Sequence, residues 1–194
     1  MLNRNNHVPH DTEDKNWWCQ HGEKLEGQFV ALCRDHLELN AIINPEKASN
    51  RFALDLIVED KIADLKTQNT PFFTASRYRM DPRYTFTFNR KDYHSYKSKA
   101  PECDIYAWVD WKQLEGYGAK VEYYGGIFRL PFIEVAKMID AGAPEHYYKR
   151  RQSEFDRNAK SSFLLDIRKF EALFVSDGAF SLPPTSTSQA LTFL

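Results

Sequence analysis

The segment "FALDLIVEDKIADLKTQ", residues 52–68, constrains the fold more than any other stretch of the chain. Two apolar runs flank the charged pair Glu59-Asp60 and read as the arms of a β-hairpin. With that pair as the tip, Val58 faces Lys61, Ile57 faces Ile62, Leu56 faces Ala63, and Asp55 faces Asp64. Lys66 lies two residues beyond Asp64 and shares its face. Directly opposed residues of an antiparallel pair have β-carbons about 4.5–5.5 Å apart, so two aspartates placed this way repel. Glu-Asp is not the Asn-Gly pair that tight hairpins favour. A symmetric four-residue loop keeps the same register. The other face, with Phe52, Leu54, Leu56, Val58 and Leu65, is expected in the core.

The rest of the chain supplies the frame for such a hairpin. Its 194 residues are expected to form one domain over 17–175, between a flexible N-terminus (1–16) and a peripheral Ser/Thr/Pro-rich tail (176–194). Residues 20–39 show helical spacing, with Leu25, Phe29, Leu32 and His36 in one row and Glu26, Val30, Cys33 and Leu37 in another. His36 reads as a packed or capping histidine. Residues 44–50, "NPEKASN", form a loop. Strands are expected at 83–90, 103–111 and 161–167. A short helix or turn is expected at 91–99 and a hairpin or bulged strand at 117–131. Pro131 and Gly142 bound a helix, and "RKFEALF" (168–174) reads as a further short helix. This order predicts an α/β or α+β arrangement around a mixed sheet.

Composition narrows the partners. The formal net charge of −1 gives no global basic field, so contact with nucleic acid requires a local patch. Three cysteines, at 19, 33 and 103, have neither disulfide-framework nor zinc spacing, which points to reduced thiols in a cytoplasmic protein. The first residues lack the apolar core of a signal peptide, and no apolar run is long enough for a membrane span. The histidines have no ligand spacing, and Gly125-Gly126 lacks the pattern of a phosphate loop.

Opposed aspartates inside apolar strands call for a cation. A divalent ion with carboxylate oxygens as ligands fits, Mg²⁺ by the usual pattern of one or two carboxylates plus phosphate. Lys66 then stands where it can orient a water or stabilise charge developing on a phosphate. The alternative is a structural ion pair between Lys66 and one aspartate.

Asp55, a turn, and then Asp64-Leu65-Lys66 resembles the core of the PD-(D/E)XK nucleases, the restriction-endonuclease-like superfamily. The resemblance implies an α/β fold with a restriction-endonuclease-like mixed β-sheet core flanked by helices. It implies that Asp55 and Asp64 bind Mg²⁺ (or Mn²⁺ in its place) with the backbone carbonyl of Leu65, and that Lys66 positions the nucleophilic water. An acidic residue on the preceding helix often completes such sites. Glu26, on the Val30/Cys33 side, is the candidate here, followed by Glu23. Leu54 stands where the family pattern has proline.

On this reading the chain is a metal-dependent deoxyribonuclease, and a homodimer would suit double-strand cutting. The rivals are a nuclease-fold protein that binds nucleic acid without cutting, a small structural or interaction protein whose hairpin charges are incidental, and RNA as substrate. Gln68 continues the Asp64/Lys66 face toward substrate. Arg77 and Arg79, around Tyr78, and the basic run Lys149, Arg150 and Arg151 are candidate contacts to backbone phosphates.

Overall fold

The computed structural model describes residues 15–50, 52–148 and 160–176, with side chains from residue 22 onward. Lys149, Arg150 and Arg151 and the 177–194 tail therefore lie outside the described residues. The protein is mixed α/β, with three α-helices and eleven strands among the described residues. It divides into two compact units, and the division falls between Leu65 and Lys66.

The first unit opens with helix α1, Lys15–His36. Its buried stripe is Glu26, Phe29, Leu32 and Cys33, and this stripe packs α1 against strand β1. His36 is exposed in the last turn rather than packed. The Arg34 guanidinium in the same turn complements the carbonyl end of the helix. β1 (Ala41–Ile43), too short to carry a period, joins antiparallel to β2 (Leu56–Val58), which pairs with β3 (Lys61–Gln68). The hairpin register is Leu56 with Ala63, Ile57 with Ile62 and Val58 with Lys61, as the alternation predicts.

The turn between β2 and β3 is a two-residue one, with Glu59 and Asp60 both at positive φ (49° and 63°). This is the backbone of a type I′ turn, which matches the twist of the flanking strands. Asn40 offsets the strain of a non-glycine pair. Its N–H donates to the Glu59 carboxylate, and its carbonyl accepts from the Glu59 N–H. Leu56, Val58 and Leu65 are buried as expected, and Ala63 is buried beside them, but Leu54 is only half-buried and Phe52 is 68% exposed. The chain leaves the strand before Leu56. Residues 52–53 belong to a turn in which Asn50 accepts from the N–H groups of Phe52 and Ala53, so strand alternation does not extend back to Phe52.

The second unit begins with the last residues of β3. A 3₁₀ turn, Ala75–Tyr78, precedes β4 (Thr85–Asn89), and α2 (Arg90–Lys99) follows at once. β5 (Asp104–Asp110) is buried from Asp104 to Val109, as its continuous apolar run implies. A small hairpin of β6 (Glu115–Gly116) and β7 (Ala119–Lys120) leads to β8 (Gly125–Pro131), which pairs antiparallel with β5. Helix α3 (Phe132–Asp140) ends before Gly142, whose φ of 98° favours glycine. β9 (Glu145–Tyr147) and β10 (Ser161–Asp166) complete a three-stranded sheet in the order β4-β10-β9.

The expected helix at 168–174 is not one. A 3₁₀ turn over Ile167–Lys169 gives way to strand β11 (Glu171–Ser176), paired antiparallel with β8. An irregularity between Ala172 and Phe174 breaks its alternation, and the strand is largely exposed, so its apolar residues mimic a helical spacing. Gly126 admits this neighbour: a β-carbon there would run into the carbonyl oxygen of Phe174.

Candidate functional site

Three acidic side chains proposed from sequence lie in the first unit. Glu26 is on the buried stripe of α1 and is 8% exposed; Asp64 is on β3 and is 4% exposed. Asp55 stands immediately before β2, one step beyond the last paired residues, Leu56 and Ala63. Continued by one residue, that register sets Asp55 opposite Asp64. The Asp55 side chain crosses toward β3, where its Oδ2 accepts from the Leu65 N–H at 3.4 Å. Leu65 thus contributes its amide to this arrangement, by way of Asp55.

The group on which Glu26 and Asp55 converge is Lys47, which the sequence reading did not single out. Its Nζ donates to both Glu26 carboxylate oxygens at 2.6 Å and to Asp55 Oδ1 at 2.8 Å. Lys47 sits on a 3₁₀ turn, Pro45–Ala48, whose cap is Asn44. Asn44 is 3% exposed and does three things at once. Its Oδ1 accepts from the Glu46 N–H, its Nδ2 donates to the Leu54 carbonyl, and its backbone N–H donates to the Asp55 carbonyl. The turn that carries Lys47 is therefore fastened to the backbone at Leu54 and Asp55. The local signal for the turn is plain in "NPEK": an asparagine cap followed by proline at the first position.

The electrostatics follow from burial and pairing. Burial pushes the Glu26 carboxyl up; Lys47 draws it back and the Asp55 charge raises it again, leaving it above its ordinary value. Burial alone would pull the Lys47 ammonium down, but Asp55 and Glu26 outweigh it, and the net displacement is upward. Two carboxylates share one ammonium, so this point of the fold remains favourable to positive charge.

Lys66 follows Asp64 by two residues on β3 and belongs to the second unit. Its Nζ lies 2.7 Å from Asp92 Oδ2 and 5.4 Å from the centre of the Tyr96 ring. Asp92 and Tyr96 are four residues apart on α2, so one face of that helix holds the ammonium. Gln68 ties β3 to β4: its Oε1 accepts from the Thr87 N–H at 2.9 Å, and its Nε2 donates to the Thr85 and Thr70 carbonyls. Both ends of that amide thus serve the strand ends. Arg77 and Arg79 are exposed at the 3₁₀ turn of residues 75–78; between them, the Tyr78 hydroxyl meets His146 Nδ1 at 2.8 Å. Glu23 is exposed on α1.

The donor set suits a hard cation. Three carboxylate oxygens from Glu26 and Asp55 already surround one positive group, and all are of the type that Mg²⁺ and Mn²⁺ prefer. Among the described residues, no three His, Cys, Asp or Glu side chains form a ready metal-holding group; the Lys47 ammonium is the cation that Glu26 and Asp55 share. Cys33 and Cys103 are buried, and burial pushes the Cys33 thiol up to about 12. No helix among the described residues is long and apolar enough to cross a membrane.

Comparison of the chain with protein-family models, with curated proteins and with solved structures finds no match.

Proposed function

We propose that the protein is a metal-dependent nuclease of the restriction-endonuclease-like kind, acting on DNA. The observation that carries this reading is the convergence of Glu26 and Asp55 on one cationic group, Lys47, beside a hairpin whose register, continued by one residue, runs Asp55 toward Asp64. Asp55, Asp64 and Glu26 would hold Mg²⁺ or Mn²⁺. When bound, such an ion supplies Lewis-acid stabilisation of negative charge at a phosphate.

The chain's own residues do the rest. Asp92 and Tyr96 fix the direction of the Lys66 ammonium, which orients water and meets charge that develops on the scissile phosphate. The Asp55 contact to the Leu65 N–H holds the first aspartate against the strand that carries the second. Exposed Arg77 and Arg79 add sequence-independent phosphate contacts. A homodimer is the form that would cut both strands of a duplex.

A second reading, a protein of the same fold that binds nucleic acid without cutting it, draws on the ammonium that already neutralises Glu26 and Asp55. One panel separates the two. Supercoiled plasmid, linear duplex, single-stranded DNA and RNA are each incubated with the full chain in Mg²⁺, Mn²⁺ or EDTA, with Lys66→Ala in parallel. Scission of a DNA form that requires metal and is lost in Lys66→Ala supports the nuclease. Retention of DNA without scission supports the binding protein, and scission confined to RNA transfers the activity to the other nucleic acid.

A further inference from the structure

The position of Lys47 carries a consequence for the metal reading. Its ammonium has three carboxylate oxygens within 2.8 Å, which is the arrangement of a bound cation rather than of a casual surface pair. The backbone beneath it is fixed by Asn44, so the ammonium is delivered to the same place by the turn and not by chance. The side chain itself is not locked. It is 25% exposed, and lysine is a point charge on a flexible four-carbon stem, so the head can leave toward solvent while the turn stays put. Glu26, at 10%, has no such freedom. A pair of carboxylates facing each other without a cation would repel and would cost stability in a partly buried site.

We propose that Lys47 is a displaceable internal cation: it holds the Glu26–Asp55 pair together in the metal-free protein, leaves that pair when a divalent ion arrives, and so sets the affinity for that ion. This rests on the reading of the hairpin as a divalent-cation site. It assigns Lys47 a positioning role, distinct from that of Lys66. Because the ammonium occupies the carboxylates first, every metal-binding event includes the loss of its hydrogen bonds. A hydrogen bond to a charged group contributes about 1.5–3 kcal/mol, so removing this competitor should tighten metal binding by about 10–100-fold.

Two measurements test this on the 194-residue chain, with Mn²⁺ as the probe. The first is calorimetric titration of wild type, Lys47→Met and Asp55→Asn. Lys47→Met binding about 10–100-fold tighter than wild type, with Asp55→Asn losing the site, is the expected result. The second uses wild type only and so does not depend on the fold of a variant. Amine acetylation read by mass spectrometry should show wild-type Lys47 protected without metal and labelled faster at saturating Mn²⁺. If wild type binds Mn²⁺ through Asp55 but Lys47→Met binds no tighter, or Lys47 labelling ignores the metal, displacement is wrong and the metal site stands. If neither wild type nor Lys47→Met binds Mn²⁺ at millimolar concentration, the metal site and the displacement fall together.

Discussion

Replacing Lys47 by methionine keeps the length of the stem and removes its charge, so in metal-free buffer Glu26 and Asp55 lose the cation they share. The Nζ donates to three oxygens at 2.6, 2.6 and 2.8 Å. Each such bond is worth about 1.5–3 kcal/mol in isolation, but all three draw on one ammonium that water also reaches, so they do not add. Protonation sets a ceiling on the loss. Glu26 can take up a proton rather than stay charged beside Asp55, and from its ordinary 4.5 that costs about 3.4 kcal/mol at pH 7. The expected loss is about 2–3 kcal/mol, or about 4–12 °C in Tm for a chain of this size.

A double-mutant cycle followed by urea unfolding, with EDTA present, reads the interaction directly. Glu26→Gln in the Lys47→Met background removes the stranded charge, so the double variant should recover about 1–2 kcal/mol relative to the sum of the single losses. A Lys47→Met loss under about 0.5 kcal/mol, or strict additivity of the two changes, would refute the claim that this ammonium holds the carboxylates together.

Asn44→Ala should cost about 2–3 kcal/mol by denaturant unfolding, because it removes the cap of the Lys47 turn and leaves the Leu54 carbonyl without its amide donor. Gly27→Ala should stabilise by about 0.5–1 kcal/mol, since Gly27 is in the body of α1 and an added β-carbon meets nothing within 4 Å. His146 should titrate below 6.5 by NMR, because burial and then the Arg77 charge disfavour its protonated form. Its folded-state pKa lies below the unfolded value, so its contribution to stability is complete above 6.5 and is lost as pH falls through that window toward the folded pKa. A folded-state value at or above 6.5 would contradict the assigned environment.

The parts of the fold legible in the sequence are those set by local rules. The register of Leu56–Val58 with Lys61–Ala63 follows from alternation and a short turn, and the β5 run from its unbroken apolar residues. Glu26 was legible as a carboxylate on the buried stripe of a helix. What escaped was decided by long-range contact. β11 resembles a helix because its irregularity and exposure erase the period of two, and only its pairing with β8 makes it a strand. β1 is three residues whose partner lies beyond a turn. Lys47 looked like one more loop lysine; its role depends on Asn44 bringing residue 47 to residue 55. Asp92 and Tyr96 likewise acquire a role only when α2 meets the end of β3.

The most direct test of the central claim is the initial rate of plasmid nicking in Mn²⁺ by wild type, Asp55→Asn and Asp64→Asn, each first checked for folding by circular dichroism. Nicking by wild type that stops on EDTA addition and is absent from both folded variants is the expected result. Nicking that persists in folded Asp64→Asn, or a wild type that leaves every plasmid intact with Mn²⁺ bound, would contradict it.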